Sequence, residues 1–280
     1  MRLATSAEAA PYTVDIIGGD PAIAVEHAGA GSLVLCLHGI GGNRTNWRAQ
    51  LRTLSSDFHM AAWDLRGYGE SDDYQGPLSF DLIEGDLVSV LDRLGAASAH
   101  FVGLSLGGRI SLDFARRRPE RVRSLVLADT SATSAAMNSE ENIKAFLDLR
   151  LRPLREGKTP RDIAPALTET LIGPEVSAEA RAEITASLCA LRTESYAKTL
   201  ECAVRYQTFG PLEKIAQPAV VITGEYDRLA PPDVARDLAT RLPNARFKQI
   251  NGAGHLSNIE KPELFSAAVA AFLNDVESAG

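Results

Sequence analysis

The chain has 280 residues, 45% of them hydrophobic and 23% charged, which suits a folded globular protein with one large core or two small ones. Lys and Arg number 29 against 36 Asp and Glu, and the net charge of −7 has the wrong sign for gripping phosphate backbones or anionic lipid. Nucleic acid is not an expected partner, and no apolar run approaches the roughly 18 residues a membrane-spanning helix needs.

The first fifteen residues carry Arg2 but no continuous apolar stretch, and Glu8 interrupts it, so no secretory signal is read. Cys36, Cys189 and Cys202 are widely spread in apolar surroundings, as expected of buried thiols in a reducing compartment. A cytoplasmic protein is expected.

Tyr12 to Ile17 and Ala22 to His27 read as strands around the turn cluster Gly18, Gly19, Asp20 and Pro21, predicting an antiparallel hairpin. Short, nearly continuous apolar runs follow at Leu33 to His38, His59 to Asp64, His100 to Leu104, Ser124 to Asp129 and Ala219 to Thr223. Such runs fit parallel strands buried on both faces. Between them lie helical patterns. Phe80 to Leu94 places Ile83, Leu87, Val90, Leu91 and Leu94 at steps of three and four before Gly95. A second helix follows Ser105 and stops near Pro119, and a last one starts at Pro262 and runs through Phe272. Strand then helix, repeated, predicts a doubly wound, mostly parallel α/β sheet.

From about Ser131 to Gly210 the strand rhythm gives way to Leu-, Ala-, Arg- and Glu-rich stretches broken at Pro153, Pro160, Pro165 and Pro174. The expectation is a helical cap over residues 131–210, inserted after the sixth strand, with residues 1–130 and 211–280 forming the core. It should lie over the carboxyl ends of the strands, where open α/β sheets bind ligands.

Chemistry concentrates at the strand ends. Gly103-Leu104-Ser105-Leu106-Gly107 has the form G-x-S-x-G between a predicted strand and helix, a turn that lifts a serine hydroxyl above the sheet. His38-Gly39-Ile40-Gly41-Gly42 follows another strand. Backbone N–H groups of Ile40 and Leu106 could together hold a developing oxyanion, while the His38 side chain is expected to tie down the turn. Gly224-Glu225-Tyr226-Asp227 ends a third strand, and Gly252-Ala253-Gly254-His255 precedes the last helix. A serine hydroxyl is a weak nucleophile until an imidazole takes its proton, and the imidazole needs a carboxylate to fix its tautomer. Ser105, Asp227 and His255, in that order, supply all three groups. His27, His59 and His100 sit in the hairpin or at strand starts and read as structural. No histidine pair has metal-ligand spacing, and Gly67, Gly69 and Asp72 do not complete a phosphate-binding G-x-G-x-x-G, so no cofactor is expected.

These motifs resemble the α/β-hydrolase superfamily, as do Asp64 to Ser71, Arg118 to Val122 and the stretch from Gly254-His255 to Glu260-Lys261-Pro262. Leu125 to Ser131 and Tyr196 to Leu212 are similar to the 3-oxoadipate enol-lactonase branch, although Thr208-Phe209 stands where those lactonases more often carry an acidic residue. The resemblance implies a serine hydrolase of a small ester or enol lactone. It leaves open a carbon–carbon bond hydrolase of ring-cleavage diketones with the same triad, and a non-catalytic binding module on the same fold. In some relatives the acid sits where Asp129 stands; Asp227 is preferred because Gly224 and Pro231 frame it in the family's pattern. Arg109 could bind a substrate carboxylate or simply face solvent.

Overall fold

The computed structural model describes residues 12–132, 139–206 and 210–279. Arg2, Glu8, Thr208 and Phe209 lie outside the described residues.

The first strands, β1 (Thr13–Ile17) and β2 (Ile23–Ala28), form the expected antiparallel hairpin. Then follow β3 (Leu33–Leu37), α1 (Arg48–Leu54), β4 (His59–Trp63), α2 (Phe80–Arg93), β5 (Ala99–Leu104), α3 (Leu106–Arg117) and β6 (Val122–Ala128). Four helices come next: α4 (Glu140–Arg155), α5 (Pro160–Leu171), α6 (Ala178–Cys189) and α7 (Thr193–Arg205). The chain returns to the sheet with β7 (Ala219–Gly224), α8 (Pro232–Arg241) and β8 (Ala245–Ile250), and ends in α9 (Ser257–Glu260) and α10 (Pro262–Ala279). The sheet has eight strands in the order β1-β2-β4-β3-β5-β6-β7-β8, parallel from β4 to β8 and antiparallel at the hairpin.

All five residues of β3 are buried, and they alternate between two apolar clusters. Leu33, Leu35 and Leu37 pack with Phe101, Ile110 and Phe114 under α2, α3 and α8, whereas Val34 and Cys36 pack with Trp47, Met60, Phe265 and Phe272 under α1 and α10. A strand covered on both faces has no polar side to show, hence its unbroken apolar sequence. Two elements lack that signature. Strand β8 lies at the sheet edge and reads Ala-Arg-Phe-Lys-Gln-Ile, with exposed Arg246 and Lys248 alternating with partly buried neighbours. Helix α8 is ten residues long and starts at the second of two consecutive prolines, Pro231 and Pro232.

The four helices between β6 and β7 pair off by apolar contact. Ile143, Leu147 and Leu151 of α4 meet Tyr196, Leu200 and Val204 of α7, while Ala164 of α5 and Ala180, Ile184 and Leu188 of α6 meet Ile259 of α9. Asn46, just after the His38–Gly42 loop, donates to Ser187 Oγ at 2.9 Å and Glu183 Oε1 at 3.0 Å, joining α6 to the core. No helix among the described residues is long and apolar enough to cross a membrane.

Candidate active site

The turn from β5 into α3 is forced by contacts that only glycine permits. A Cβ on Gly103 would stand 2.3 Å from the Gly107 carbonyl oxygen, and one on Gly107 would stand 2.1 Å from that of Leu37. Between them Ser105 adopts φ 53° and ψ −112°, a sparsely populated conformation that turns its side chain out of the strand direction. Its N–H donates to Ala128 O at 2.8 Å, and Thr130 Oγ1 donates to its carbonyl at 2.7 Å, so neighbouring β6 holds the strain in place.

Ser105 Oγ lies 2.9 Å from His255 Nε2, and His255 Nδ1 lies 3.0 and 2.9 Å from the two carboxylate oxygens of Asp227. Because a carboxylate can only accept, the imidazole proton belongs on Nδ1 and Nε2 is left to accept from the serine. Asp227 is itself oriented by the Leu229 and Ala230 N–H groups, which donate to its Oδ1 at 2.8 and 3.0 Å. The structure thus brings Ser105, His255 and Asp227 into one hydrogen-bonded chain.

Asp129 lies nearby, fully buried, with φ 47°. Its Oδ1 accepts from Gly224 N at 2.8 Å and its Oδ2 from Ser257 N at 3.1 Å and Ser257 Oγ at 2.5 Å, while the imidazole partner is Asp227. Burial pushes the Asp129 carboxyl up to about 8, with the charge of Asp227 adding to the rise. In Asp227 burial also acts upward, but the charge and hydrogen bond of His255 outweigh it and the carboxyl lies below its usual range.

For His255 itself burial acts to lower the pKa, but Asp227, then Asp129 and Glu260, raise it above the ordinary imidazole value of 6.5. A base must be unprotonated, so a raised pKa carries the acidic limb of activity to higher pH. We expect kcat/KM to fall with decreasing pH about a midpoint above 6.5, and a titration of activity at or below that value would contradict this electrostatic picture.

The His38–Gly42 loop lies against the elbow. A Cβ on Gly39 would stand 3.0 Å from Ser105 Cβ, which brings Ile40 to the wall beside the serine. Buried His38 accepts from Leu65 N through Nε2 at 3.0 Å and donates from Nδ1 to Gly39 O at 2.8 Å, the tie across the turn expected of it. Leu106 opens α3, so its N–H belongs to the positive end of that helix.

Ser105 and His255 open into a cavity of about 160 Å³ whose walls are rich in Leu side chains, with Phe146 and Tyr196 from the helices between β6 and β7. Arg109 is not part of this wall. Its guanidinium donates to the Tyr206 carbonyl beyond α7, and burial lowers its pKa to about 10. It is neither fully exposed on its helix nor among the residues that line the cavity. The cation that does line the cavity is Arg150 of α4, stacked over the Phe146 ring at 5.4 Å. Sequence periodicity could not separate Arg150 from the other arginines of the insertion. Among the described residues no group of three or more His, Cys, Asp or Glu side chains could hold a metal ion. Cys36 is buried, but Cys189 and Cys202 are only half-buried, contrary to the expectation of three buried thiols.

The sequence pattern of the α/β hydrolase fold matches residues 32–262, and the chain belongs to that family. It is 30% identical over 251 residues to a protein of Caulobacter sp. strain K31 named provisionally as the carbamate hydrolase RutD, covering 86% of this chain and 90% of the relative. A 3-oxoadipate enol-lactonase of Acinetobacter baylyi is 26% identical over 84% of this chain and 85% of its own. In structure, a thermophilic esterase from Thermogutta terrifontis superposes with a TM-score of 0.83 at 27% identity, covering 95% of this chain and 99% of the esterase.

Proposed function

We propose that the protein is a cofactor-independent serine hydrolase that cleaves a small carboxylic ester or enol lactone through an acyl-enzyme. The single observation behind this reading is the unbroken chain from Ser105 Oγ to His255 to Asp227 at the wall of a largely apolar cavity. Ser105 Oγ attacks the carbonyl carbon while its proton passes to His255 Nε2, and the carbonyl oxygen takes the negative charge. Backbone N–H groups of Ile40 and Leu106 stabilise that oxyanion. His255 then gives its proton to the departing oxygen, and a water attacking the acyl group by the same route frees Ser105. Asp227 holds the imidazole in its working tautomer throughout.

In this reading residues 1–130 and 211–280 are the catalytic core, and residues 131–210 are a cap whose helices select the substrate. The triad acts on almost any carbonyl that reaches it, so discrimination falls to the walls. Those walls are largely apolar, and among the described residues Arg150 supplies a cationic anchor, which suits a compact substrate.

The test is a panel of p-nitrophenyl esters of increasing acyl length, enol lactones, carbamates and ring-cleavage diketones. Turnover of short esters or lactones is expected, falling steeply as the acyl chain grows from about two to about twelve carbons, because a helical cover leaves no room for long chains. Diketone cleavage without ester or lactone turnover would replace this reading with carbon–carbon hydrolysis. Flat or rising activity with chain length would defeat the small-substrate assignment.

A further inference from the structure

Glu260 belongs to a sequence stretch that marks the family, yet the chemistry proposed above gives it no part. Its side chain is 5% exposed at the end of α9, and among the described residues it has no ion-pair partner. Instead it collects backbone donors. Oε1 accepts from Gly254 N at 3.0 Å and Leu256 N at 3.2 Å, and Oε2 accepts from Gly173 N at 2.7 Å and Gly254 N at 3.1 Å. Gly254 and Leu256 flank His255, whose own N–H donates to Leu171 O at 2.7 Å. Three consecutive amides around the imidazole are therefore pinned, two by Glu260 and one by the end of α5.

The contact is backbone against backbone. A Cβ on Gly254 would stand 2.4 Å from Gly173 N, one on Gly173 would stand 2.8 Å from Gly254 N, and one on Gly224 would meet Gly254 O at 2.0 Å. No side chain cushions the α5 end from the histidine loop. An acceptor with two oxygens is what an arrangement of converging N–H groups requires, and an amide side chain would turn a donor toward one of them.

We propose that Glu260 is a positioning residue that locks the loop of His255 to the end of α5, so that this part of the helical cover and the base move as one body. The inference rests on His255 being the base of the proposed reaction. It implies that substrate contacts made by α5 and α6 bear directly on the alignment of the imidazole, and that any opening of the cover involves the α4 and α7 pair. The carboxylates acting on His255 are Asp227, Asp129 and Glu260, each of which raises its pKa, so loss of the Glu260 charge has a sign: the acidic limb moves to lower pH.

The experiment compares the full-length wild type with Glu260→Gln, Glu260→Asp and His255→Asn, using the best p-nitrophenyl ester and amide hydrogen exchange. Glu260→Gln is expected to lower kcat about 10- to 100-fold, the scale of a misplacement near 1 Å at a reacting group. Its acidic limb should shift to lower pH, and the Gly173 and Gly254 amides should exchange faster together. Glu260→Asp, which keeps the charge, should leave the limb where it is. Wild-type kcat, limb and exchange in Glu260→Gln, with His255→Asn inactive, would overturn the proposal and leave the triad standing. Loss of activity in Glu260→Gln with an unmoved limb would also overturn it, since that marks a merely structural residue. Full turnover by His255→Asn would remove both readings. Should Glu260→Gln not fold, the wild type decides. One locked body gives Gly173 and Gly254 amides the same protection, and protection differing by more than about tenfold would overturn the proposal.

Discussion

Ser105→Ala is expected to lose at least about three orders of magnitude in turnover, or about 4 kcal/mol of transition-state stabilisation, because no other group is placed to form the acyl-enzyme. The variant isolates the chemistry. Alanine keeps the Cβ and the same strained φ of 53°, and the bonds that hold the elbow, Ser105 N to Ala128 O and Thr130 Oγ1 to Ser105 O, involve only its backbone. What disappears is the Oγ and its 2.9 Å contact with His255. A fluorophosphonate, which phosphonylates an activated serine oxygen, should label the wild type at Ser105 alone and leave the variant unlabelled. Equal labelling of both would show that the nucleophile lies elsewhere, and undiminished turnover would end the acyl-enzyme mechanism. A binding module on this fold would show neither labelling nor turnover in the wild type.

Much of this architecture is legible in the sequence because burial on both faces leaves a strand no choice but continuous apolar residues, as in Leu33–Leu37 and Ala219–Gly224. Each member of the candidate triad is legible for a related reason: Ser105 and Asp227 follow such strands within three residues, and His255 stands in the glycine-rich loop before the last helices. Strand β8 escapes that test because an edge strand shows polar alternation, and the lysine and arginine that protect the edge disguise it. Arg109 illustrates a different limit. Its place four residues after Ser105 suggests proximity to the substrate, but the fate of a long side chain is decided by what packs over it, here the carbonyl of Tyr206, 97 residues away. Glu260 is hidden in the same way, since its partner Gly173 lies 87 residues off in another element. Local pattern predicts elements and their ends; it does not predict which distant backbone will converge on a carboxylate.

Two buried carboxylates near one imidazole invite a ranking, and the geometry gives it. Asp227→Asn should reduce turnover by about three to four orders of magnitude, the cost of holding a catalytic histidine in the wrong tautomer. Leu229 N and Ala230 N both donate to Oδ1 and will keep an oxygen there, so the new amide nitrogen faces His255 Nδ1. A donor at that point drives the imidazole proton to Nε2, where it meets Ser105 and cannot accept the serine proton. Asp129→Asn removes a charge from the same neighbourhood but not from the hydrogen-bonded chain. Burial raises the Asp129 carboxyl to about 8, so its charge is costly to keep there, and an uncharged asparagine gives up less at this position than it does in place of Asp227. The amide can still accept from Gly224 N and can donate to Ser257 Oγ, leaving one strained contact at Ser257 N. We expect a loss within about one order of magnitude, about 1.4 kcal/mol. Measured kcat/KM for the two variants at one pH decides the matter: if Asp129→Asn were the more damaging, the acid of the triad would be Asp129, and Asp227 would be its support.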